Sequence, residues 1–194
     1  MRIVGGNLSG RRFSGPPGNS TRPTSERVRE AVSSALDSRG WIDGSHVLDL
    51  YAGTGALAFE ALSRGALDAV LVEKSRPVAR AIKTSARELD LADRVKVVQA
   101  DLERRNASHW LDAIANPIDL LMLDPPYAQI AKVEALLSTL AHEAKLAAEA
   151  AVVIEHARRD PPVLPLGFSE VSSYRYGDTA VLLAMFNPSQ ESQP

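Results

Sequence analysis

The stretch HVLDLYAGTGALAFEALSRG, residues 46–65, decides how this chain folds. Its first six residues form an apolar run with the length of a buried strand. The turn A-G-T-G follows, and helical sequence continues over residues 56–64 until Gly65 stops it. A strand, a glycine turn and a helix in this order predict the first half of a β-α-β unit in a parallel sheet.

The same alternation of strand and helix continues along the rest of the chain. We predict further strands and helices, in chain order, at residues 69–74, 75–91, 94–101, 118–124, 131–147 and 150–156. Residues 168–177 and 179–186 are two more strand-like runs, and Gly177-Asp178 is typical of a hairpin turn. The prediction is an α/β fold with a mostly parallel seven-stranded sheet, an antiparallel carboxyl-terminal hairpin and helices on both faces.

Composition narrows the class of protein. With 194 residues, 45% of them hydrophobic and 24% charged, the chain resembles one ordinary globular domain. The absence of cysteine excludes disulfides, thiolate catalysis and Cys-ligated zinc. No signal segment or membrane-length apolar run is present, so we expect a cytoplasmic protein. The histidines lack metal-ligand spacing, so we expect no metal and give them surface or structural roles: His46, His109, His142 and His156.

Charge is distributed unevenly along the chain. Residues 1–39 contain seven arginines and three acids, for a net charge of +4, whereas the remainder has 15 basic and 21 acidic residues. This asymmetry predicts a basic amino-terminal extension over residues 1–39, made of a short hairpin and a helix, on an acidic domain over residues 40–187. A solvated tail without function is the alternative. We expect residues 188–194 to be frayed.

Acidic residues stand at or near the predicted ends of the first three strands. Asp49 precedes the turn that holds Gly53 and Gly55, Glu73 ends the second strand, and Asp101 ends the third. Ligands bind at the carboxyl ends of parallel strands. A carboxylate about 20 residues after the glycines is placed to accept hydrogen bonds from ribose hydroxyls.

The glycine turn alone does not identify the ligand. A G-x-G turn followed by an acid fits a dinucleotide fold as well as an adenosyl cofactor. Asp49 favours the adenosyl cofactor, because its carboxylate would attract a cationic amino-acid moiety and repel a pyrophosphate. Ala58 completes the spacing G-x-G-x-x-A, however, so a dinucleotide oxidoreductase stays open.

The stretch LDPPY, residues 123–127, ends the fourth strand in an unusual way. Proline lacks the N–H that a central strand needs, so Asp124 is left at the strand end and Pro125 and Pro126 form a stiff corner with carbonyl acceptors. Tyr127 adds an aromatic face. A flat ring that carries an amino group would fit this cluster, and an Asx-type turn after an edge strand is the simpler alternative.

These motifs together resemble a class I S-adenosylmethionine-dependent methyltransferase of the DPPY group, with a Rossmann-like fold. Four stretches carry the resemblance: residues 47–66, VEKS at 72–75, QAD at 99–101 and LDPPY at 123–127. Two amino-terminal stretches, RIVGGNLSGRR at 2–12 and RPTSERVRE at 22–30, resemble the RsmD family more specifically. Members of that family methylate the N2 amine of one guanine in 16S ribosomal RNA.

The resemblance implies roles for individual residues. The cofactor S-adenosyl-L-methionine would be bound by Thr24, Asp49, Tyr51, Gly53, Gly55, Glu73, Lys74, Asp101 and Leu102. The target base would be held by Asp124, the Pro125 carbonyl, Pro126 and Tyr127. From the charge asymmetry we expect RNA contacts from Arg2, Arg11, Arg12, Arg22 and Arg27.

The expected partner is 16S ribosomal RNA within the small subunit, with neither metal nor membrane, and we expect a monomer. We predict that the basic extension lies beside the mouth formed by Gly53, Glu73 and Asp124. We also predict that residues 1–20 can be deleted without loss of the fold. Adenine-N6 or glutamine-amide methylation, and a non-catalytic RNA-binding assembly factor, stay open as alternatives.

Overall fold

A computed structural model describes residues 1–16, 26–104 and 108–190. Its strands are β1 His46–Leu50, β2 Asp68–Glu73, β3 Val95–Gln99, β4 Ile118–Leu123, β5 Leu146–Ala157, β6 Phe168–Tyr176 and β7 Thr179–Phe186. They form one sheet in the order β3-β2-β1-β4-β5-β7-β6. β1 to β5 run parallel, and β7 lies antiparallel between β5 and β6. The predicted seven-stranded sheet and its carboxyl-terminal hairpin are confirmed.

In the described part of the chain, four α-helices pack around the sheet. They are α1 Glu26–Asp37, α2 Ala56–Ser63, α3 Arg76–Glu88 and α4 Val133–His142. Short 3₁₀ turns lie at Gly6–Leu8, Ala92–Arg94, Ser108–Ala113, Tyr127–Lys132 and Pro188–Gln190. Across the described ranges, no helix has both the length and the apolar character needed to cross a membrane.

The helix predicted over residues 131–147 is shorter than expected. Its α-helical part ends at His142, Ala144 takes a left-handed φ of 49°, and β5 already begins at Leu146. Residues 146–150 are rich in alanine, which favours a helix, but Ile118 pairs with Leu146 and draws the segment into the sheet. Tertiary pairing therefore overrides local propensity here.

Two apolar layers cover the sheet, one on each face. Alternation along β1 sends Leu48 and Leu50 into the layer that contains α4. Val47 enters the other layer, which contains buried side chains of α1, α2 and α3. Because side chains alternate along a strand, Asp49 shares the face of Val47. The carboxyl group of Asp49 is therefore directed toward the helices that follow β1 and β2.

The amino-terminal segment is part of this packing. An antiparallel bridge joins Arg2 to Arg12, as the predicted hairpin requires. Ile3 and Phe13 are buried in the α1–α3 layer at 1% and 4% exposure, and the ring of Phe13 packs edge-on against Phe59. The hairpin thus completes the core, and this burial argues against the expectation that residues 1–20 can be deleted without loss of the fold.

A buried ion pair fixes the hairpin to two helices. Glu60 of α2 accepts hydrogen bonds from the backbone N–H groups of Val4 and Gly5 at 2.8 and 3.2 Å. Its carboxylate also accepts a 3.0 Å bond from Nε of Arg29 in α1, whose Nη2 donates to the Arg2 carbonyl. Both side chains of the pair are at most 1% exposed. Each charge is therefore stabilised by its partner and by backbone groups rather than by water.

We predict that Glu60→Ala lowers the free energy of unfolding by about 3–5 kcal/mol, because it leaves the Arg29 guanidinium buried without its counterion. The matched control is Glu26→Ala, which removes the half-exposed partner of Arg2 and should cost at most about 1 kcal/mol. Urea denaturation measures both values. Equal losses in the two variants would contradict the role of the buried pair.

Candidate active site

Parallel strands bring three carboxyl groups to one edge of the sheet. Asp49 lies near the end of β1, Glu73 is the last residue of β2, and Asp124 directly follows β4. β1 pairs with β2 on one side and with β4 on the other, so the three groups face one region. The structure thus brings together three of the residues predicted from sequence.

The carboxyl group of Asp49 is the most perturbed of the three. It is only 2% exposed, and burial raises its pKa to about 8. The charge on Asp124 raises the pKa further, as does that on Glu73 to a smaller extent, while the backbone N–H of Ala58 opposes the shift. A cation at this edge would offset the repulsion and favour the ionised form of Asp49.

The turn after β1 is held in an unusual backbone conformation. Tyr51 has φ of 65° although it is not glycine, and Gly53 and Gly55 have φ of 53° and 75°. A Cβ on Gly55 would lie 3.0 Å from Leu71 Cδ2 and 3.1 Å from Phe59 Cε2. Gly55 is therefore required for close packing of α2 on β2 as well as for its backbone angle.

Glu73 is locked in place by the backbone around it. Its Oε2 accepts a 3.0 Å bond from the Gly53 N–H, and its Oε1 accepts a 2.7 Å bond from the Ser75 N–H. Each carboxylate oxygen can accept a second hydrogen bond, so both can still bind a pair of hydroxyl groups. The adjacent Lys74 pairs through Nζ with Glu103 Oε1 at 3.2 Å.

The residues after β3 form the far side of this region. Asp101 Oδ1 accepts the Glu103 N–H at 3.1 Å, and Leu102 packs against the apolar layer that contains α4. Burial raises the pKa of Tyr51 to about 12, and the charges on Glu103 and Asp101 add to the shift. The Tyr51 hydroxyl has no hydrogen-bond partner within the described ranges.

The proline corner differs in one respect from the sequence-based expectation. Pro125 is buried and Pro126 is exposed, and the Pro126 carbonyl accepts a 2.7 Å bond from the Gln129 N–H. That carbonyl is used by the 3₁₀ turn, which leaves the Pro125 carbonyl as the candidate acceptor beside Asp124. The side chain of Tyr127 and all of Thr24 and Arg22 lie outside what the structure describes, so their roles stay predictions.

Sequence reasoning missed two polar groups on the β5 side of this corner. Leu123 pairs with Ile154, which places His156 level with Pro125. His156 is 4% exposed, and its Nδ1 lies 2.9 Å from the Ala157 carbonyl and so carries the proton. Its Nε2 and the Oε1 of Gln129 are buried without a hydrogen-bond partner in the described part of the chain. The sequence signal for His156 was the apolar strand predicted at residues 150–156, which ends in this histidine.

Of the arginines predicted to contact RNA, Arg11 lies away from this edge. Arg2 pairs with Glu26 at 3.1 Å, and Arg12 and Arg27 are exposed. Arg11 donates to the Glu88 carbonyl and to Asp90 Oδ2, which lie at the end of α3. α3 starts at the Glu73 edge and runs back about 20 Å across the sheet. The expected position of Arg11 beside the mouth is therefore wrong.

Among residues 1–16, 26–104 and 108–190, no group of three His, Asp or Glu side chains is arranged to hold a metal ion. A mostly parallel seven-stranded sheet with an antiparallel final pair, a glycine turn after β1 and a carboxylate ending β2 define the Rossmann-like class I methyltransferase fold.

Comparison with known proteins identifies the family. The family model described as "Conserved hypothetical protein 95" matches residues 1–185. Ribosomal RNA small subunit methyltransferase D of Escherichia coli is 32% identical over 170 residues, which cover 87% of this chain and 81% of that protein. The chain therefore belongs to the RsmD family, as the sequence motifs indicated.

Solved structures agree with the fold. The Escherichia coli protein yhhF superimposes with a TM-score of 0.80 at 32% identity, covering 96% of this chain and 98% of that one. An RNA methyltransferase of Salinibacter ruber, solved in complex with S-adenosyl-L-homocysteine, has a TM-score of 0.63 at 18% identity. The match covers 89% of this chain and 97% of the Salinibacter ruber chain. At 18% identity, this likeness supports the fold alone.

We predict that Asp49 makes stability fall as pH rises from about 4 to 8. Its pKa is about 8 when folded and near 3.8 when unfolded, so over this range the folded state retains a proton that the unfolded state has lost. In Asp49→Asn the free energy of unfolding should fall less steeply with pH, and the slope should change by at most about 1.4 kcal/mol per pH unit. Urea denaturation of ligand-free protein at several pH values measures it.

The matched control for this experiment is Asp112→Asn, which neutralises an exposed carboxyl group instead of a buried one and should keep the wild-type slope. An Asp49→Asn variant whose stability follows the wild-type curve in parallel would show that Asp49 does not titrate in this range.

Proposed function

We propose that this chain transfers the methyl group of S-adenosyl-L-methionine to the exocyclic N2 amine of a specific guanine in 16S ribosomal RNA of the small subunit. One observation carries the proposal: in an RsmD-family fold, Asp49, Glu73 and Asp124 converge at one edge of the sheet. The first two residues fit the cofactor, and the third fits the amine.

The cofactor would lie across the ends of β1, β2 and β3. Glu73, already oriented by two backbone N–H groups, would accept hydrogen bonds from the ribose hydroxyls. Asp49 would face the cationic methionine end, where a positive charge lowers the cost of its ionisation. Asp101 and Leu102 would flank the adenine, with Tyr51 beside them. The bound cofactor supplies a methyl group on a sulfonium, which is already a good leaving group.

Asp124 and the Pro125 carbonyl would hold the guanine amine. The lone pair of this amine is delocalised into the ring, which makes it a weak nucleophile. Two acceptors for its N–H groups would orient the lone pair toward the methyl group, and the proline corner would prevent those acceptors from relaxing. Most of the rate enhancement would come from this positioning. The amine can release its proton after transfer, when it is cationic, so no base with a pKa near 7 is required.

Tyr127 would stack on the target base, an interaction worth about 1–3 kcal/mol. His156 Nε2 and Gln129 Oε1 are two further acceptors near the corner, and guanine presents N–H donors at N1 and N2 along one edge. This match favours guanine over adenine, whose N1 is an acceptor.

The test is nucleoside mapping of small-subunit RNA from a strain that lacks the gene. We expect one N2-methylguanosine to disappear and to return when the wild-type gene is restored. Unchanged N2-methylguanosine would contradict the proposal. Loss of N6-methyladenosine, or of a methylated glutamine in a protein, would point to the other substrates of the DPPY group.

We predict that Glu73→Ala weakens S-adenosyl-L-methionine binding by about 2–4 kcal/mol, because charged hydrogen bonds contribute about 1.5–3 kcal/mol each and partly overlap. The matched control is Asp68→Ala at the opposite end of β2, which should bind the cofactor like wild type. Calorimetry gives both affinities, and thermal unfolding checks that the turn at Gly53 survives. Wild-type affinity in folded Glu73→Ala would reject this ribose contact.

We predict that Asp124→Ala reduces methyl transfer to small subunits by at least about 100-fold, the scale for loss of one positioned polar group in the transition state. Cofactor affinity should stay within a few-fold of wild type. Asp119→Ala, at the opposite end of β4, is the matched control and should retain activity. A drop in cofactor affinity that accounts for the whole effect would place Asp124 in the cofactor site instead.

A further inference from the structure

The outer face of α3 carries a row of basic side chains. Arg76, Arg80, Lys83 and Arg87 are all exposed, and their spacing of four, three and four residues places them on one side of the helix. The opposite side is buried through Val78, Ile82, Ser85 and Ala86. We call the four basic residues the α3 track.

No acid within α3 neutralises this track in the described structure. Glu88 is the only acidic residue of the helix, and its carboxylate accepts hydrogen bonds from Ser14 N–H and Oγ at 2.6 and 2.8 Å. These bonds also lower the pKa of Glu88. Within the described ranges, the four basic side chains have no ion-pair partner inside 4.0 Å.

The α3 track runs between the candidate active site and the amino-terminal hairpin. Arg76 stands three residues after Glu73, at the carboxyl edge where the candidate active site lies. Arg87 lies about 16 Å further along the helix. Beyond it, Arg11 of the hairpin contacts the Glu88 carbonyl and Asp90. The track therefore runs from the mouth of the site toward the hairpin, where Arg11 is paired with Asp90 at 2.9 Å.

We propose that the α3 track binds consecutive phosphates of the ribosomal RNA strand that carries the target guanine. This inference rests on the proposed function and names the surface that holds its substrate. Residues 40–194 carry a net charge of −6 and would repel a phosphate backbone, so a local cationic surface is needed for approach. The target base must be unpaired or flipped to reach the methyl group, and contacts to flanking phosphates would hold it there.

In the described structure, the α3 track lies between the basic hairpin and the candidate active site. Sequence reasoning placed the cations beside the mouth on the amino-terminal extension. In the described structure, α3 carries exposed cations from the mouth of the site to the point where the Glu88 carbonyl accepts a hydrogen bond from Arg11 of the hairpin.

The experiment compares binding of labelled protein to purified small subunits over a range of salt concentrations. Arg80→Gln/Lys83→Gln removes the middle of the track without touching the cofactor region. We expect at least about 10-fold weaker binding at moderate salt. The slope of log affinity against log salt should fall in magnitude by about 1.4–1.8, at about 0.7–0.9 for each phosphate that the variant no longer neutralises. Cofactor affinity and the unfolding midpoint should match wild type.

The control is Lys96→Gln/Lys145→Gln, which removes the same charge near the amino-terminal ends of β3 and β5, at the edge of the sheet opposite the candidate active site, and should bind subunits like wild type. Equal weakening in both double variants would show a general charge effect and overturn the proposal, as would wild-type binding by the α3 variant. Weaker binding with an unchanged salt slope would show that the two residues neutralise no phosphates, and would also overturn it. If wild-type protein bound subunits without methylating them, the proposed function would be rejected, whereas phosphate binding by the α3 track would still stand.

Discussion

The crowding of Asp49, Asp124 and Glu73 at one edge of the sheet is the constraint on which this structure depends. β1 lies between β2 and β4 in parallel register, so residues at the ends of the three strands must meet. Burial and mutual repulsion hold the pKa of Asp49 near 8. A cation at this edge would offset the repulsion and favour the ionised form of Asp49.

The rest of the molecule supports that edge. Glu73 is clamped by the Gly53 and Ser75 N–H groups, and Gly55 lets α2 sit close against β2. α2 is buried on nearly every side, since the sheet covers one face and α1 with the hairpin covers the other. The ion pair of Glu60 with Arg29 locks these outer layers together. The amino-terminal hairpin therefore stabilises the helix that begins at the glycine turn after β1.

Sequence was sufficient for the sheet and for the position of the carboxylates, because both follow from local patterns. The period of apolar residues distinguishes strands from helices, and parallel strands have their ligand-binding ends on one side. The docking of the hairpin depends instead on contacts such as Val4 with Glu60, which are 56 residues apart in sequence. The start of β5 within an alanine-rich segment depends on pairing with β4, which helix propensity does not reveal.

His156, Gln129 and the basic face of α3 were not predicted, for similar reasons. His156 and Gln129 gain their significance only from burial without partners in the described ranges, and burial is a tertiary property. The basic face of α3 is present in the sequence as R-x-x-x-R-x-x-K-x-x-x-R, but the net charge of the whole segment hides it among acidic neighbours. The roles assigned to Thr24, Arg22 and the Tyr127 side chain stay predictions of the sequence.

A cationic ligand at this edge should convert buried Asp49 from its protonated to its ionised form. Calorimetry of S-adenosyl-L-methionine binding at pH 7, in two buffers with different ionisation enthalpies, measures the protons released on binding. With a pKa of about 8 in the ligand-free protein, wild type should release close to one proton, and Asp49→Asn should release about one fewer. The same proton count in wild type and Asp49→Asn would contradict the account.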